Sequence, residues 1–305
     1  MGTQTWFITG SSRGFGRHLA IAALEAGDNV VATARRPDRL DDLVQKYEDR
    51  VLAVALDVID RPAAAAGLKA AVDRFGRVDV VVNNAGYADL GAVETMPEDD
   101  FRRQFDTNFW GVYNVSTSAL PILRNQGGGT IVQFSSIGGR VGGTPGLGSY
   151  QAAKFAVDGF TRVLAAETAP FGISYVVVEP GGFATDWAGS SMRTLPIGPE
   201  YEPTVGEMAR ALGGPATGKG DPKRAGEILV RVVKHPNRPS HLILGADAVR
   251  MAQDHSHRRT EQATAWEPVS RSADFGRDYP VPLPSGRAAG AGAGRQSSSP
   301  DGAHS

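Results

Sequence analysis

The stretch Thr5-Trp-Phe-Ile-Thr-Gly-Ser-Ser-Arg-Gly-Phe-Gly16 decides the fold of this 305-residue chain. Its first five residues are largely apolar or β-branched and predict a short buried strand. A glycine-rich turn follows and leads into a run of apolar residues at helical spacing, which ends at Gly27. This arrangement directs backbone N–H groups and the positive end of a helix dipole at a phosphate. The turn residues predicted to bind a phosphate-bearing cofactor are Gly10, Ser12, Arg13, Gly14, Phe15 and Gly16.

A second apolar run, 29–34, is followed by Arg35 and Arg36. In a dinucleotide-binding fold, the end of the second strand meets the adenosine ribose, where an acidic residue would bind the 2′-hydroxyl group. Arg35, supported by Arg13 in the glycine turn, instead suits a 2′-phosphate. The sequence therefore predicts a preference for NADP over NAD. The alternative is that these arginines are solvated surface charges.

Strands and helices alternate along the next part of the chain. Apolar runs at 51–56, 78–82, 130–134 and 174–178 predict four further strands, and 240–244 predicts a last short one. This alternation favours a single Rossmann-type α/β domain, in which a doubly wound parallel sheet of about seven strands has helices on both faces. Ligands bind such sheets at the carboxyl ends of the strands. The residues predicted there, on the adenosine side, are Asp57, Asn83, Ala85 and Gly86.

A second group of polar residues comes from Tyr150-Gln-Ala-Ala-Lys154 and from the preceding pair Ser135-Ser136. Side chains four residues apart lie on one face of a helix, so Tyr150 and Lys154 are expected side by side. A nearby cation favours an ionised phenol and would lower the pKa of Tyr150. In isolation, such a pair is more often a packed tyrosine and a solvated lysine. Adjacent strand residues face opposite sides, and Ser136 is our choice for the substrate side.

A long helix is predicted from Pro97 to about Asn125, with Asn108 among apolar neighbours. Asparagine is unfavourable in the middle of a helix, because its side chain competes for backbone hydrogen bonds. A use for that side chain would explain its position, which makes Asn108 a candidate site residue.

Composition excludes several classes of protein. The protein has a net charge of −1, and 21% of its residues are charged. It therefore has no excess of basic residues of the kind expected for binding nucleic acids or anionic membranes. The absence of cysteine removes disulfides and thiolate metal sites, and no metal site is expected. The start of the chain shows no signal-peptide pattern, and no apolar run is long enough to span a membrane. We therefore expect a cytoplasmic protein with no membrane partner.

The regular pattern fails over 182–220, where Gly, Pro and Ser alternate with large apolar residues. Such an insert after a strand predicts a lid over the substrate. The catalytic domain is predicted to span 1–265, and an extension over 266–305 is predicted to be disordered from about residue 288. The lid's apolar residues would either contact an apolar substrate or form a small core of the lid itself. They are Phe183, Trp187, Met192, Leu195 and Tyr201.

Over approximately residues 4 to 250, the chain resembles the classical short-chain dehydrogenase/reductase family. Its motifs occur in the family's order, from Thr9-Gly10-x-x-x-Gly14-x-Gly16 through Asn83-Asn-Ala-Gly86 to Tyr150-x-x-x-Lys154. Together they are more specific than any one alone. The resemblance implies a catalytic tetrad of Asn108, Ser136, Tyr150 and Lys154, and a nicotinamide-side loop with Pro180, Gly181 and Thr185.

The resemblance also implies a reaction, namely hydride transfer between a nicotinamide ring and a carbonyl or alcohol carbon. Tyr150 would act as general acid or base, and Ser136 would bind the carbonyl oxygen. Lys154 would bind the nicotinamide ribose and lower the pKa of Tyr150, so that both residues also contact the cofactor. Asn108 would hold a water molecule for proton resupply. Family members commonly form homodimers or homotetramers, and the same is expected here.

Two other interpretations are kept. A catalytically silent NADP-binding sensor or regulatory protein of the same fold would usually lack Tyr150 or Lys154, and both are present. The family's extended branch, which acts on nucleotide sugars, differs in the spacing of the glycine turn and carries a second substrate domain. One departure from the resemblance is the spacing of 14 residues between Ser136 and Tyr150, one longer than is commonest in the family.

Overall fold

A seven-stranded parallel sheet forms the centre of the protein in a computed structural model that describes residues 2–184, 192–212 and 220–284. The strands are β1 (Thr5–Ile8), β2 (Asn29–Ala34), β3 (Val51–Ala55), β4 (Val80–Asn83), β5 (Ala88–Leu90), β6 (Gly129–Phe134), β7 (Ile173–Pro180), β8 (Met192–Thr194) and β9 (His241–Leu244). The strand order of the large sheet, β3-β2-β1-β4-β6-β7-β9, confirms the predicted doubly wound α/β fold, and β5 and β8 form a separate parallel pair.

Helices lie between the strands in chain order, as the alternating pattern predicts. The helices of the described residues are α1 (Gly14–Glu25), α2 (Asp41–Tyr47), α3 (Arg61–Phe75), α4 (Glu98–Phe105), α5 (Gly111–Asn125), α6 (Gly138–Val141), α7 (Gly148–Thr168), α8 (Glu207–Leu212), α9 (Pro222–Lys234) and α10 (Ala246–Arg271).

The two faces of the sheet are covered because successive strand residues point to opposite sides. Trp6 and Ile8 of β1 belong to one buried cluster, which includes Leu19 of α1 and residues of α9. Phe7, between them, belongs to the other cluster, together with Leu68 of α3 and residues of α5 and α7. Burying each such large side chain contributes roughly 1.5–3 kcal/mol, so both layers hold the sheet in place.

The strand order reverses between β1 and β4, since β1 pairs with β2 on one side and with β4 on the other. The connections on the two sides of this point run to opposite faces of the sheet, which leaves a crevice beyond the carboxyl ends of the strands. The glycine turn after β1 and the turn after β4 meet at this crevice.

Two features differ from the sequence-based expectation. The predicted helix from Pro97 to Asn125 consists of α4 and α5 separated by a π-helical turn, Asp106–Trp110. The short strands β5 and β8 had not been predicted, because three residues are too few to show an alternating pattern.

The chain divides into two compact units, residues 1–253 and 254–305, and α10 begins in the first and ends in the second. The predicted domain boundary near 265 stays a prediction. Within the predicted lid, the described residues form β8, short turns and α8. Trp187 and Thr185 lie outside the described residues, as does the segment predicted to be disordered from about 288. None of the described helices is both long and apolar enough to cross a membrane.

Candidate active site

A cavity of about 810 Å³ lies at the carboxyl edge of the sheet. The ends of β1, β2, β4, β6 and β7 all contribute to its lining, together with residues of the lid. The predicted site residues that line it are Gly10, Ser12, Arg13, Gly14, Phe15, Arg35, Asp57, Ala85, Gly86, Asn108, Ser136, Tyr150, Lys154, Pro180 and Gly181.

The glycine turn is held in a shape that only glycine permits. Gly10 and Gly14 have φ angles of +68° and +57°, a region that residues with a Cβ atom rarely adopt. At Gly16 a Cβ atom would lie 2.4 Å from Asn84 Nδ2 and 2.5 Å from the carbonyl oxygen of Gly10. The helix α1 begins at Gly14, and no side chain caps its first turn. Its first backbone N–H groups therefore suit the pyrophosphate of a dinucleotide.

Two asparagines at the end of β4 have different roles. Asn83 donates hydrogen bonds to Ser116 Oγ (3.0 Å) and Gln133 Oε1 (2.8 Å) in the interior, and it does not line the cavity. Asn84, which the sequence analysis had not selected, donates from Nδ2 to the carbonyl oxygens of Thr9 (3.0 Å) and Gly10 (3.2 Å) and does line the cavity. It thereby ties the turn after β4 to the glycine turn. Its side of the strand could have been inferred from the alternation along β4.

The end of the cavity that is predicted to face adenosine carries arginine. Arg35 is exposed and lines the cavity, as does Arg13. Arg36 instead forms an ion pair with Asp38 at 2.8 Å, outside the cavity lining. Asp57 lines the cavity, and its Oδ1 accepts a hydrogen bond from the backbone N–H of Ile59. This end therefore presents the guanidinium groups of Arg13 and Arg35.

The adjacent serines after β6 have different partners. Ser135 is buried, and its hydroxyl donates a hydrogen bond to the carbonyl oxygen of Lys154 at 3.0 Å. The hydroxyl of Ser136 accepts a hydrogen bond from the backbone N–H of Gly138 at 3.0 Å and also forms one with Tyr150. Ser136 is thus the serine that contacts the tyrosine at the cavity wall.

Tyr150 and Lys154 lie one turn apart on α7, with the lysine Nζ 5.7 Å from the centre of the phenol ring. Both side chains are buried. Burial raises the pKa of Tyr150 to about 12, because it disfavours the anion more than the hydrogen bond from Ser136 favours it. Burial likewise lowers the pKa of Lys154 to about 8. The pKa of Tyr150 is therefore shifted upward, opposite to the direction expected from a neighbouring cation.

Asn108 lies in the π-helical turn and is fully buried. Its Nδ2 donates hydrogen bonds to the carbonyl oxygens of Tyr87 and Gln104, both at 2.9 Å. Its Oδ1 is buried and has no hydrogen-bond partner in the described part of the chain. A Cβ atom on Gly86 would lie 2.5 Å from this oxygen and 3.6 Å from Lys154 Nζ. A small acceptor site therefore faces the lysine, and only glycine at 86 keeps it open.

The lid approaches the cavity through β8, which pairs with β5 so that Arg193 lies opposite Asp89. Phe183, whose ring lies 4.8 Å from that of Phe15, lines the cavity together with Met192. The other apolar lid residues described, Leu195 and Tyr201, instead pack against β5 and its surroundings. Two of the described lid residues therefore line the cavity and two belong to a small core beside β5, while contact with an apolar substrate stays a prediction.

No motif or pattern in the sequence indicated that several other residues would line the cavity. Tyr87, Asp89 and Arg103 come from the segment after β4 and from α4, and Arg193 comes from the lid. They are brought together by β5 and β8, whose pairing the sequence did not reveal.

Comparison with known proteins finds similar sequences and similar folds. A family model described as short chain dehydrogenase matches residues 4–195. The chain is 49% identical over 252 residues to "Oxidoreductase BOA17" of Botryotinia fuckeliana (strain B05.10), covering 82% of this chain and 92% of that protein. A crystal structure of a short-chain dehydrogenase from Streptomyces avermitilis has a TM-score of 0.84 and 38% identity, and covers 90% of this chain and 99% of its own.

Solved structures with either nicotinamide cofactor are also similar. A short chain dehydrogenase from Burkholderia cenocepacia J2315 in complex with NADP has a TM-score of 0.68 and 25% identity, over 86% of this chain and 96% of its own. A 3-ketoacyl-(acyl-carrier-protein) reductase from Brucella melitensis complexed with NADH has a TM-score of 0.66 and 25% identity, over 79% of this chain and 96% of its own. Similarity to these structures therefore does not distinguish NADP from NAD for this chain.

Proposed function

The chain belongs to the short-chain dehydrogenase family of oxidoreductases, and we propose that it transfers a hydride between NADP and the carbonyl or alcohol carbon of an apolar ketone or secondary alcohol. The observation that carries this proposal is the contact of Ser136 with Tyr150, one helical turn from Lys154, in the same cavity as the glycine turn.

The residues present fit a dinucleotide. The glycine turn offers uncapped N–H groups at the start of α1, and a Cβ atom at Gly16 would fill the space between this turn and Asn84. Arg35 and Arg13 would hold the 2′-phosphate, which supports NADP over NAD. Asp57, Ala85, Gly86, Pro180, Gly181 and the undescribed Thr185 complete the proposed cofactor set. When bound, the nicotinamide supplies or accepts the hydride.

Tyr150 is proposed as the general acid in reduction. With a pKa near 12, its phenol is fully protonated at neutral pH and can donate a proton to the oxygen of the carbonyl as it becomes an alcohol. Ser136 would donate a hydrogen bond to the same oxygen, and so stabilise the negative charge that develops there. In oxidation, Tyr150 must first be deprotonated, and a positive charge bound nearby would favour that.

Lys154 and Asn108 are proposed to support the tyrosine. The lysine ammonium, which faces the cavity beside Tyr150, would bind the nicotinamide ribose and resupply protons. The unpaired Oδ1 of Asn108 would accept a hydrogen bond from a water molecule that also contacts Lys154. This use accounts for a buried asparagine in a π-helical turn, a feature often found at functional sites.

The surfaces around the site support a class of substrate and a form of assembly. Phe183 and Met192 give the cavity an apolar wall, which supports a substrate with an apolar body.

Trp110 of the π-helical turn and Phe155 and Val163 of α7 are large apolar side chains that are substantially exposed. They support a homodimer or homotetramer formed through these helices. Location in the cytoplasm stays a prediction from the sequence.

The proposal is tested by consumption of NADPH with a panel of ketones. Tyr150→Phe should lower kcat by a factor of roughly 10²–10⁴, because general acid catalysis is lost, while NADPH binding measured by fluorescence is kept. Binding of NADPH by the wild type without consumption would favour the alternative, a catalytically silent sensor or regulatory protein. Undiminished turnover by the Tyr150→Phe variant would contradict the assigned mechanism.

A further inference from the structure

The cavity has a polar group of residues beside its apolar wall. Tyr87, Arg103 and Arg193 line the cavity, and Asp89 lies with them. We propose that these residues bind a second, uncharged oxygen of the substrate, a hydroxyl or keto oxygen separate from the carbonyl that is reduced. The inference rests on the proposed function, and it narrows the substrate from an apolar ketone to an oxygenated one.

The hydroxyl group of Tyr87 is the central observation. It is buried, and no residue within 2–184, 192–212 or 220–284 forms a hydrogen bond of regular geometry with it. The guanidinium of Arg103 lies close enough to act on the Tyr87 oxygen as a charge and, in less regular geometry, as a hydrogen-bond donor. Arginine has no acceptor atom, so the proton of the Tyr87 hydroxyl is left without an acceptor. A buried O–H group without an acceptor is unfavourable, and a ligand oxygen that accepts its hydrogen bond removes that penalty.

Tyr87 lies next to the proposed catalytic residues. Its carbonyl oxygen accepts a hydrogen bond from Asn108 Nδ2 at 2.9 Å. The preceding residue, Gly86, faces Lys154, and the next, Ala88, belongs to the same buried cluster as Tyr150. The Tyr87 side chain therefore belongs to the catalytic end of the cavity and not to the end with Arg35.

The charges around Tyr87 are balanced. Arg193 Nη2 lies 2.9 Å from Asp89 Oδ2 and 3.0 Å from Asp100 Oδ1, and Arg103 also pairs with Asp100. Asp89 is almost completely buried, while both arginine side chains are about half exposed. The positive charges of the two arginines are therefore offset by the negative charges of the two aspartates. For this reason a substrate carboxylate would gain little net electrostatic attraction here. A neutral acceptor oxygen can still use the N–H donors of the guanidinium groups, each of which has five.

The lid contributes to this group through backbone pairing. Because β8 pairs with β5, Arg193 lies opposite Asp89, and the ion pair holds the arginine at the cavity. Met192 and Arg193 are neighbours in β8, and both line the cavity. The pairing of β8 with β5 therefore brings an apolar and a polar side chain to the same part of the site. A substrate that matches both has an apolar body with an oxygen on it.

The test uses acetophenone and its ortho, meta and para hydroxyl derivatives, with 4-acetylbenzoate as the anionic counterpart. The ratio of kcat/KM for each hydroxyl derivative to that for acetophenone is measured in the wild type, in Tyr87→Phe and in Tyr47→Phe. Tyr47 is a matched control, since it is largely buried but does not line the cavity. Comparing ratios removes the intrinsic reactivity of each ketone, as in a double-mutant cycle.

We expect the ratio for at least one hydroxyl derivative to fall about tenfold in Tyr87→Phe and to be unchanged in Tyr47→Phe. Equal ratios in all three proteins would overturn the inference while leaving ketone reduction intact. A preference for 4-acetylbenzoate that depends on Tyr87 would also overturn it, because the site would then bind an anion. Failure of the wild type to reduce any of the ketones would overturn the proposed function, and this inference with it.

Discussion

The ammonium group of Lys154 donates a hydrogen bond to the carbonyl oxygen of Phe134 over 2.7 Å. This contact ties α7 to the end of β6 and holds the lysine beside Tyr150 at the cavity wall. Because both side chains are buried, the pKa of the lysine falls to about 8 and that of the tyrosine rises to about 12. At neutral pH the protein alone therefore presents a charged lysine beside a neutral phenol, which is the protonation state that the proposed reduction needs.

The raised pKa of Tyr150 predicts that this phenol does not ionise below about pH 10 in the cofactor-free protein, where a free phenol would be half ionised. The sign follows from burial, which disfavours the charged form, and for a phenol that form is the deprotonated one. Phenolate absorbance is measured from pH 7 to 10 in the wild type and in Tyr150→Phe, with N-acetyltyrosinamide as reference. The two proteins should gain the same absorbance. One extra phenolate in the wild type near pH 7 would show that Lys154 dominates instead.

Cofactor choice is predicted to depend on Arg35 and not on Arg36. Arg35→Asp should weaken NADPH binding about tenfold or more, since a charge-assisted contact to the 2′-phosphate becomes a repulsion, and should leave NADH binding much less affected. The same charge change at Arg36, which pairs with Asp38 outside the cavity lining, is the matched control. Both are followed by titration of nicotinamide fluorescence. Equal weakening by Arg36→Asp would mean that net charge alone is responsible.

The tight packing at Gly16 predicts that even a methyl group is too large. In Gly16→Ala the new Cβ atom would lie 2.4 Å from Asn84 Nδ2, so the two turns must separate. We expect a loss of about 1–3 kcal/mol in the free energy of unfolding and weaker NADPH binding, measured by urea denaturation and fluorescence titration.

Gly67→Ala on α3 provides the control for that substitution. A Cβ atom at this position would make ordinary van der Waals contacts, at 3.4 Å, with Phe7 and Val54, so alanine should fit and stabilise the helix by up to about 1 kcal/mol. A Gly16→Ala protein as stable as the wild type, with unchanged NADPH affinity, would show that the glycine turn is not constrained by Asn84.

The sheet and much of the cavity lining could be predicted from the sequence, because both depend on local patterns. Each buried strand is a short apolar run, and in a parallel sheet the residue after each strand lies at the carboxyl edge. This reasoning places Gly10, Asp57 and Ser136 at one edge without knowledge of their contacts. Helical spacing likewise puts Tyr150 and Lys154 on one face.

Other parts of the site depend on contacts that no local pattern contains. The π-helical turn that holds Asn108 reads as ordinary helix in the sequence. Arg193 reaches Asp89 across 104 residues of chain, through two strands too short to predict.

The sequence by itself determined the order of strands and helices and the glycine turn, and it supplied the residues of the proposed tetrad, since these are properties of short stretches of chain. Only the tertiary structure decided which side chains share the cavity and how their protons are held. The direction of the pKa shift of Tyr150 shows why: it is set by how completely the folded chain excludes water from the phenol, and burial is a property of the whole fold.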